Sequence, residues 1–115
     1  MRLQKHTFIA LSIPRPGREA ELEEWYDHQH IPDCLKLDGF VAAQRFRIDQ
    51  QPVGAAVPAW KVMVIYDVET DDIDNTMAQI ARVVRTPKMP MTDALDLSTA
   101  LRFIAVPASP HFRRP

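Results

Sequence analysis

The sequence has a single cysteine, Cys34, so no internal disulfide can form and stability must come from packing; the chain fits a reducing cytoplasm. Charge of one sign is also scarce: 14 Lys and Arg stand against 15 Asp and Glu, a formal net charge of −1. That balance offers no electrostatic footprint for a polyanion, so neither nucleic acid nor an acidic membrane surface is an expected partner. Long apolar runs are missing. Phe8 to Ile13 is interrupted by Ser12 and closed by Pro14, whereas a spanning helix needs about 20 apolar residues. No signal peptide or membrane anchor is visible. There is no Gly-rich phosphate loop and no Gly-x-Ser-x-Gly elbow, which leaves nucleotide binding and serine hydrolase chemistry without support.

What is present, 115 residues, suffices for one hydrophobic core. Lys5 to Ile13 reads as a first strand, ended by the turn Pro14-Arg15-Pro16-Gly17. From Arg18 the acids concentrate in the first turns of a helix, where they oppose its dipole, and that helix is expected to run to about Gln29. Pro32 suits a first helical turn better than an interior. The chain is therefore expected to bend at His30 and enter a short second piece, Ile31 to Leu37, stopped near Gly39.

Phe40 to Ile48 alternates as a second strand, Gln50 to Pro58 reads as a loop, and Trp60 to Val68, apolar on both faces, reads as a central strand. Asp71 or Asp72 can cap a helix whose Ile73, Met77, Ile80, Val83 and Val84 keep helical spacing through Thr86. Leu97 to Val106 is the expected last strand. The domain is expected to span residues 1–107, and 108–115 to be a loose proline- and arginine-rich tail.

The order β-α-β-β-α-β predicts an α+β, ferredoxin-like fold, with two helices on one face of a four-stranded antiparallel sheet. Two helices shield only one face, while the third strand is apolar on both. A second copy of the sheet is the expected cover, which makes the chain a homodimer.

Polar chemistry collects in the first half, where Trp25, Tyr26, Asp27, His28 and His30 crowd one helix end and Asp33 follows across the proline. Leu22, Trp25, Tyr26 and His30 can share the sheet-facing side, with Asp27 or Asp33 near His30 to fix its tautomer. Histidine exchanges protons near neutrality, so His30 is the candidate acid/base group. Aromatics at helical spacing also make ordinary core, and a histidine at a helix end also serves as a cap. His28 and His30 project to opposite sides of a helix, so no metal site is expected, and no cofactor. Cys34 is expected to be core.

Arg45 and Arg47 share a face of the second strand and Lys61 lies on that of Met63 and Ile65; Arg45 can meet a developing negative charge, although solvated strand positions are the commoner case. Gln44, His6 and Ser12 are weaker polar candidates. Thr86 to Met91 is an ordinary connection or an adaptable methionine-rich lid.

Glu24-Trp25-Tyr26-Asp27-His28-Gln29-His30-Ile31-Pro32-Asp33-Cys34-Leu35, followed by Asp38-Gly39-Phe40-Val41-Ala42-Ala43-Gln44-Arg45-Phe46, resembles the EthD-like branch of the dimeric α+β barrel superfamily. The wording of that branch is W-Y-(D/N)-x-x-H-(I/V/L)-P-(D/E)-x-L and P-G-F-x-x-A-x-R-(F/Y). Asp38 replaces its proline, a departure expected to be harmless. The specific likeness covers about Arg15 to Arg47; beyond it only the order of elements agrees. The resemblance implies a cleft between the first helix and the sheet, faced by His30. Relatives include monooxygenases, cyclases, isomerases, dehydratases or decarboxylases and haem-using enzymes, so the fold does not choose the reaction.

Two readings follow. In the first, the chain is a small cofactor-independent enzyme of catabolism or of aromatic or polyketide processing. His30, oriented by Asp27 or Asp33 and assisted by Tyr26 and Arg45, would drive a lyase, dehydratase or isomerase step. Trp25, Tyr26, Phe40, Met89 and Met91 would contact a hydrophobic or aromatic metabolite in a mainly apolar cavity of roughly several hundred cubic ångströms. In the second, the same cleft belongs to a non-catalytic binding or accessory protein.

Overall fold

A computed structural model describes residues 2–50 and 59–115. The 51–58 part of the expected Gln50–Pro58 loop lies outside the described residues. Strands β1 (Gln4–Ser12), β2 (Phe40–Arg47), β3 (Val62–Thr70) and β4 (Leu101–Ala105) form one antiparallel sheet in the order β2-β3-β1-β4. Helix α1 (Glu19–Trp25), a widened turn (Tyr26–His30) and α2 (Ile31–Cys34) connect β1 to β2; α3 (Ile73–Val83) follows β3. This is the ferredoxin-like α+β arrangement. Among the described residues no helix is long and apolar enough to cross a membrane.

The period of two in the strands separates the faces of the sheet. Phe8 and Ser12 of β1 and Val62, Val64, Tyr66 and Val68 of β3 are buried and close a core with Leu22, Tyr26, Cys34 and Phe40. Phe8 stacks on Tyr66 at 5.3 Å, and Phe40 meets both rings edge-on. The alternate residues, among them Ile9, Leu11, Met63 and Ile65, are only half-buried on the opposite face.

Most strand ends shift by one or two residues and α2 ends at Cys34 rather than Leu37, while three larger differences from the sequence reading have a local cause. The first helix does not bend at His30: helical backbone runs from Glu19 to Cys34, and the Ile31 N–H bonds to the Tyr26 carbonyl, five residues back. That π-turn accommodates Pro32, which has no N–H to donate and would crowd the carbonyl four residues before it in a regular helix. Helix α3 stops at Val83 rather than Thr86, with Val84 extended and Arg85 left-handed at φ 62°. Leu97–Thr99 is a short 3₁₀ turn, because the Asp96 carboxylate accepts the Ser98 N–H at 3.1 Å and diverts the backbone from the ladder, so β4 begins only at Leu101.

Gly39 closes the route from α2 to β2. Its φ of +87° favours glycine, and an added Cβ would lie 3.1 Å from Thr76 Cγ2 and 3.2 Å from the Glu69 carbonyl oxygen. Asp38, where the EthD-like wording has proline, keeps an N–H that donates to Gln79 Oε1 at 2.9 Å, while Gln79 Nε2 donates back to its carbonyl at 2.8 Å. The departure thus ties the entry of β2 to α3.

Candidate functional site

The widened turn shapes the site. In a regular helix residues five apart diverge, but here Trp25 and His30 stack at 4.3 Å with 16° between their planes. Tyr26 meets the same imidazole edge-on at 5.9 Å. Trp25 is anchored in turn, its indole N–H donating to the Pro90 carbonyl at 3.1 Å. The Tyr26 hydroxyl shares a 3.1 Å hydrogen bond with Ser12 Oγ, which is buried on β1.

His30 lies deep enough that burial lowers its pKa to about 4, opposed by the nearby Asp33 charge and assisted by Arg102. The imidazole is therefore neutral at pH 7. Its Nε2 is 3.7 Å from Cys34 Sγ. Its Nδ1 is, among the described residues, the one buried side-chain nitrogen or oxygen without a hydrogen-bond partner. Burial pushes the Cys34 thiol up to about 11, so this cysteine is a packed thiol and no nucleophile. Burial likewise raises the pKa of Tyr26 and of Tyr66. The phenols stay protonated and can donate.

Trp25, Tyr26 and His30 line one mainly apolar cavity with Phe8, Tyr66 and Met91. Its volume is about 50 Å³, room for a few waters and far below the several hundred cubic ångströms expected. Phe8, Ile80, Val84, Met91, Leu97 and Arg102 also line a groove of about 500 Å³ between α3 and β4. The cavity and the groove thus share six wall residues.

The other sequence candidates sit elsewhere. Asp27 receives a bidentate pair from Arg45, Nε at 2.8 Å and a terminal nitrogen at 2.9 Å, and the guanidinium holds its carboxyl below the usual range. Arg45 also approaches Glu23 at 3.5 Å. Asp33 is buried and accepts from Gln29 Nε2 at 2.6 Å, so it acts on His30 through its field and not through a direct bond. Phe40 and Met89 are core residues outside the cavity lining. The Thr86–Met91 segment is pinned, with the Arg85 N–H donating to the Met89 carbonyl at 2.9 Å and Pro90 held by Trp25. Among the described residues no group of three or more His, Cys, Asp and Glu is placed to hold a metal ion.

Arg102 escaped the sequence reading. It sits in β4 opposite Ala10 and lines both cavity and groove. Leu101-Arg102-Phe103-Ile104-Ala105 is apolar on both faces, so only the pairing with Ala10 assigns Arg102 to the helix-covered side.

No protein-family model matches this chain, and no curated protein sequence matches it. Among solved structures, it is similar to the crystal structure of an ethyl tert-butyl ether D (EthD) family protein from Bacillus halodurans C-125, with a TM-score of 0.57 and 20% identity. The match covers 88% of this chain and 96% of that one. The chain shares its ferredoxin-like fold with an EthD family protein, the family that the wording around Trp25 to Phe46 resembles.

Proposed function

We propose that the chain is a small cofactor-independent enzyme in which His30 moves a proton on a hydrophobic or aromatic, polyketide-like metabolite, in an elimination or isomerisation. One observation carries this reading: His30 lines an apolar cavity, and its Nδ1 is buried without a hydrogen-bond partner. An unsatisfied buried polar atom costs about 1–3 kcal/mol, and a site that retains one calls for a role. With Nε2 beside Cys34, Nδ1 is the nitrogen left unpartnered, and a ligand whose entry exposes it would find an acceptor in one tautomer and a donor in the other. Neutral imidazole is the form a general base requires. Tyr26, steadied by Ser12, can donate to developing negative charge. Asp33 favours the imidazolium that forms, while Asp27 and Arg45 brace the outer side of the widened turn. A cytoplasmic homodimer acting on a small metabolite, rather than on nucleic acid or membrane, completes the reading, supported by the balanced charge and the single cysteine.

The test is hydrogen–deuterium exchange at the activated C–H of a panel of enolisable aryl ketones and lactones in D₂O, followed by NMR. Wild-type protein should accelerate exchange over buffer, and His30→Gln should lose about 10²- to 10⁴-fold of that rate with its fold intact. The exposed His28→Ala variant should keep it. Undiminished exchange in His30→Gln, or none above buffer in the wild type, would favour the binding-protein reading, which the small cavity of about 50 Å³ supports.

A further inference from the structure

The groove between α3 and β4 has a charge pattern that the proton-transfer reading does not use. Nine residues line it; seven are apolar, and the two charged ones are Arg85 and Arg102. No carboxylate lies in the lining, and neither arginine forms an ion pair among the described residues. The two cations are placed differently. Arg85 lines the groove and not the cavity, whereas Arg102 lines both the groove and the cavity shared with His30. An apolar trough with two arginines and no carboxylate in its wall, one of them shared with the His30 cavity, complements a molecule with an apolar body and one anionic group.

We propose that this groove recognises an apolar-bodied organic carboxylate, with Arg102 holding the carboxylate and so presenting the adjacent part of the molecule to the cavity lined by His30. The inference rests on the proton-transfer reading for its substrate class, but recognition of the anion does not depend on turnover. Ile80, Val84 and Leu97 supply the apolar wall, and the guanidinium fork fixes the carboxylate by paired N–H···O bonds. The arrangement also bears on the base. Arg102 disfavours the imidazolium form of His30 in the free protein. A carboxylate bound to Arg102 cancels that repulsion, so occupancy makes His30 more basic.

Phenylbutanoate and phenylbutyramide, alike in their apolar body and different in charge, serve as probes. Calorimetric titration of the whole protein at neutral pH and low salt measures affinity, and NMR shift changes locate binding at Ile80, Val84 and Leu97. Wild-type protein should bind the carboxylate at least about tenfold tighter than the amide. Arg102→Gln should reduce the carboxylate to the affinity of the amide and leave the amide unchanged. Arg102 is exposed on an edge strand, so the variant should melt like the wild type. His30→Gln should keep the full preference for the anion, which separates this proposal from the catalytic one: loss of exchange activity there does not touch it. Equal affinity for the two probes in the wild type, absence of binding by either, or a preference that survives Arg102→Gln would each overturn it.

Discussion

His30 is neutral in the folded chain because its neighbours take water away without giving Nδ1 a partner, and this ties stability to pH. Its folded pKa of about 4 lies below the ordinary 6.5. Above about pH 6.5 neither the folded nor the unfolded chain holds a proton there, and the group has no effect. Between about pH 6.5 and 4 the unfolded chain takes up a proton that the folded chain refuses, so stability falls as pH drops. Below about 4 the loss is complete, on the order of 3 kcal/mol. Urea unfolding at neutral pH and at about pH 4.5 should show this decline in the wild type, and His30→Gln should flatten it; an unchanged slope would place the titration elsewhere. At this scale the sequence was informative about Trp25, Tyr26 and His30, whose crowding at one helix end is visible in the residue order. It was silent on Arg102, because a lone arginine in a short strand reads as a solvated position until the pairing of β4 with β1 is known.

Secondary structure was legible from a continuous apolar run in β3 and from helical spacing in α3, and failed where a backbone exception mattered. Nothing in the residue types distinguishes a π-turn from a helix that ends before Pro32. The difference lies in which carbonyl the Ile31 N–H selects, a choice made by the packing of Trp25, Tyr26 and His30 together. The start of β4 was misplaced for a related reason: Asp96 captures the Ser98 N–H locally, although Leu97 looks like a strand residue. Gly39 joins two elements by close approach. Gly39→Ala should cost about 1–3 kcal/mol, since it combines a left-handed φ with a Cβ pressed against the Glu69 carbonyl and Thr76. Thermal melting would measure it, and a midpoint equal to that of the wild type would show that β2 and α3 can separate without penalty.

Across the whole molecule, Ile9, Leu11, Met63 and Ile65 give the face of the sheet away from the helices an apolar character. A pair of chains burying these faces against each other is the assembly we propose. Ile65→Asp should convert it to an unstable monomer in sedimentation, whereas a wild type that sediments as a well-folded monomer at micromolar concentration would end the idea. The strand order β2-β3-β1-β4 has a kinetic consequence. β1 lies inside the sheet, yet its partners are Val62–Thr70 and Leu101–Ala105, both far along the chain. Loop-closure entropy favours the β2–β3 pair, which forms between neighbours in sequence, and delays β1 until long segments have been gathered. Phe8, Ala10, Leu11 and Ser12, the β1 residues of the cavity, therefore arrive late. The cavity beside His30 is among the last parts of the molecule to exist during folding and among the first to vanish when the sheet opens.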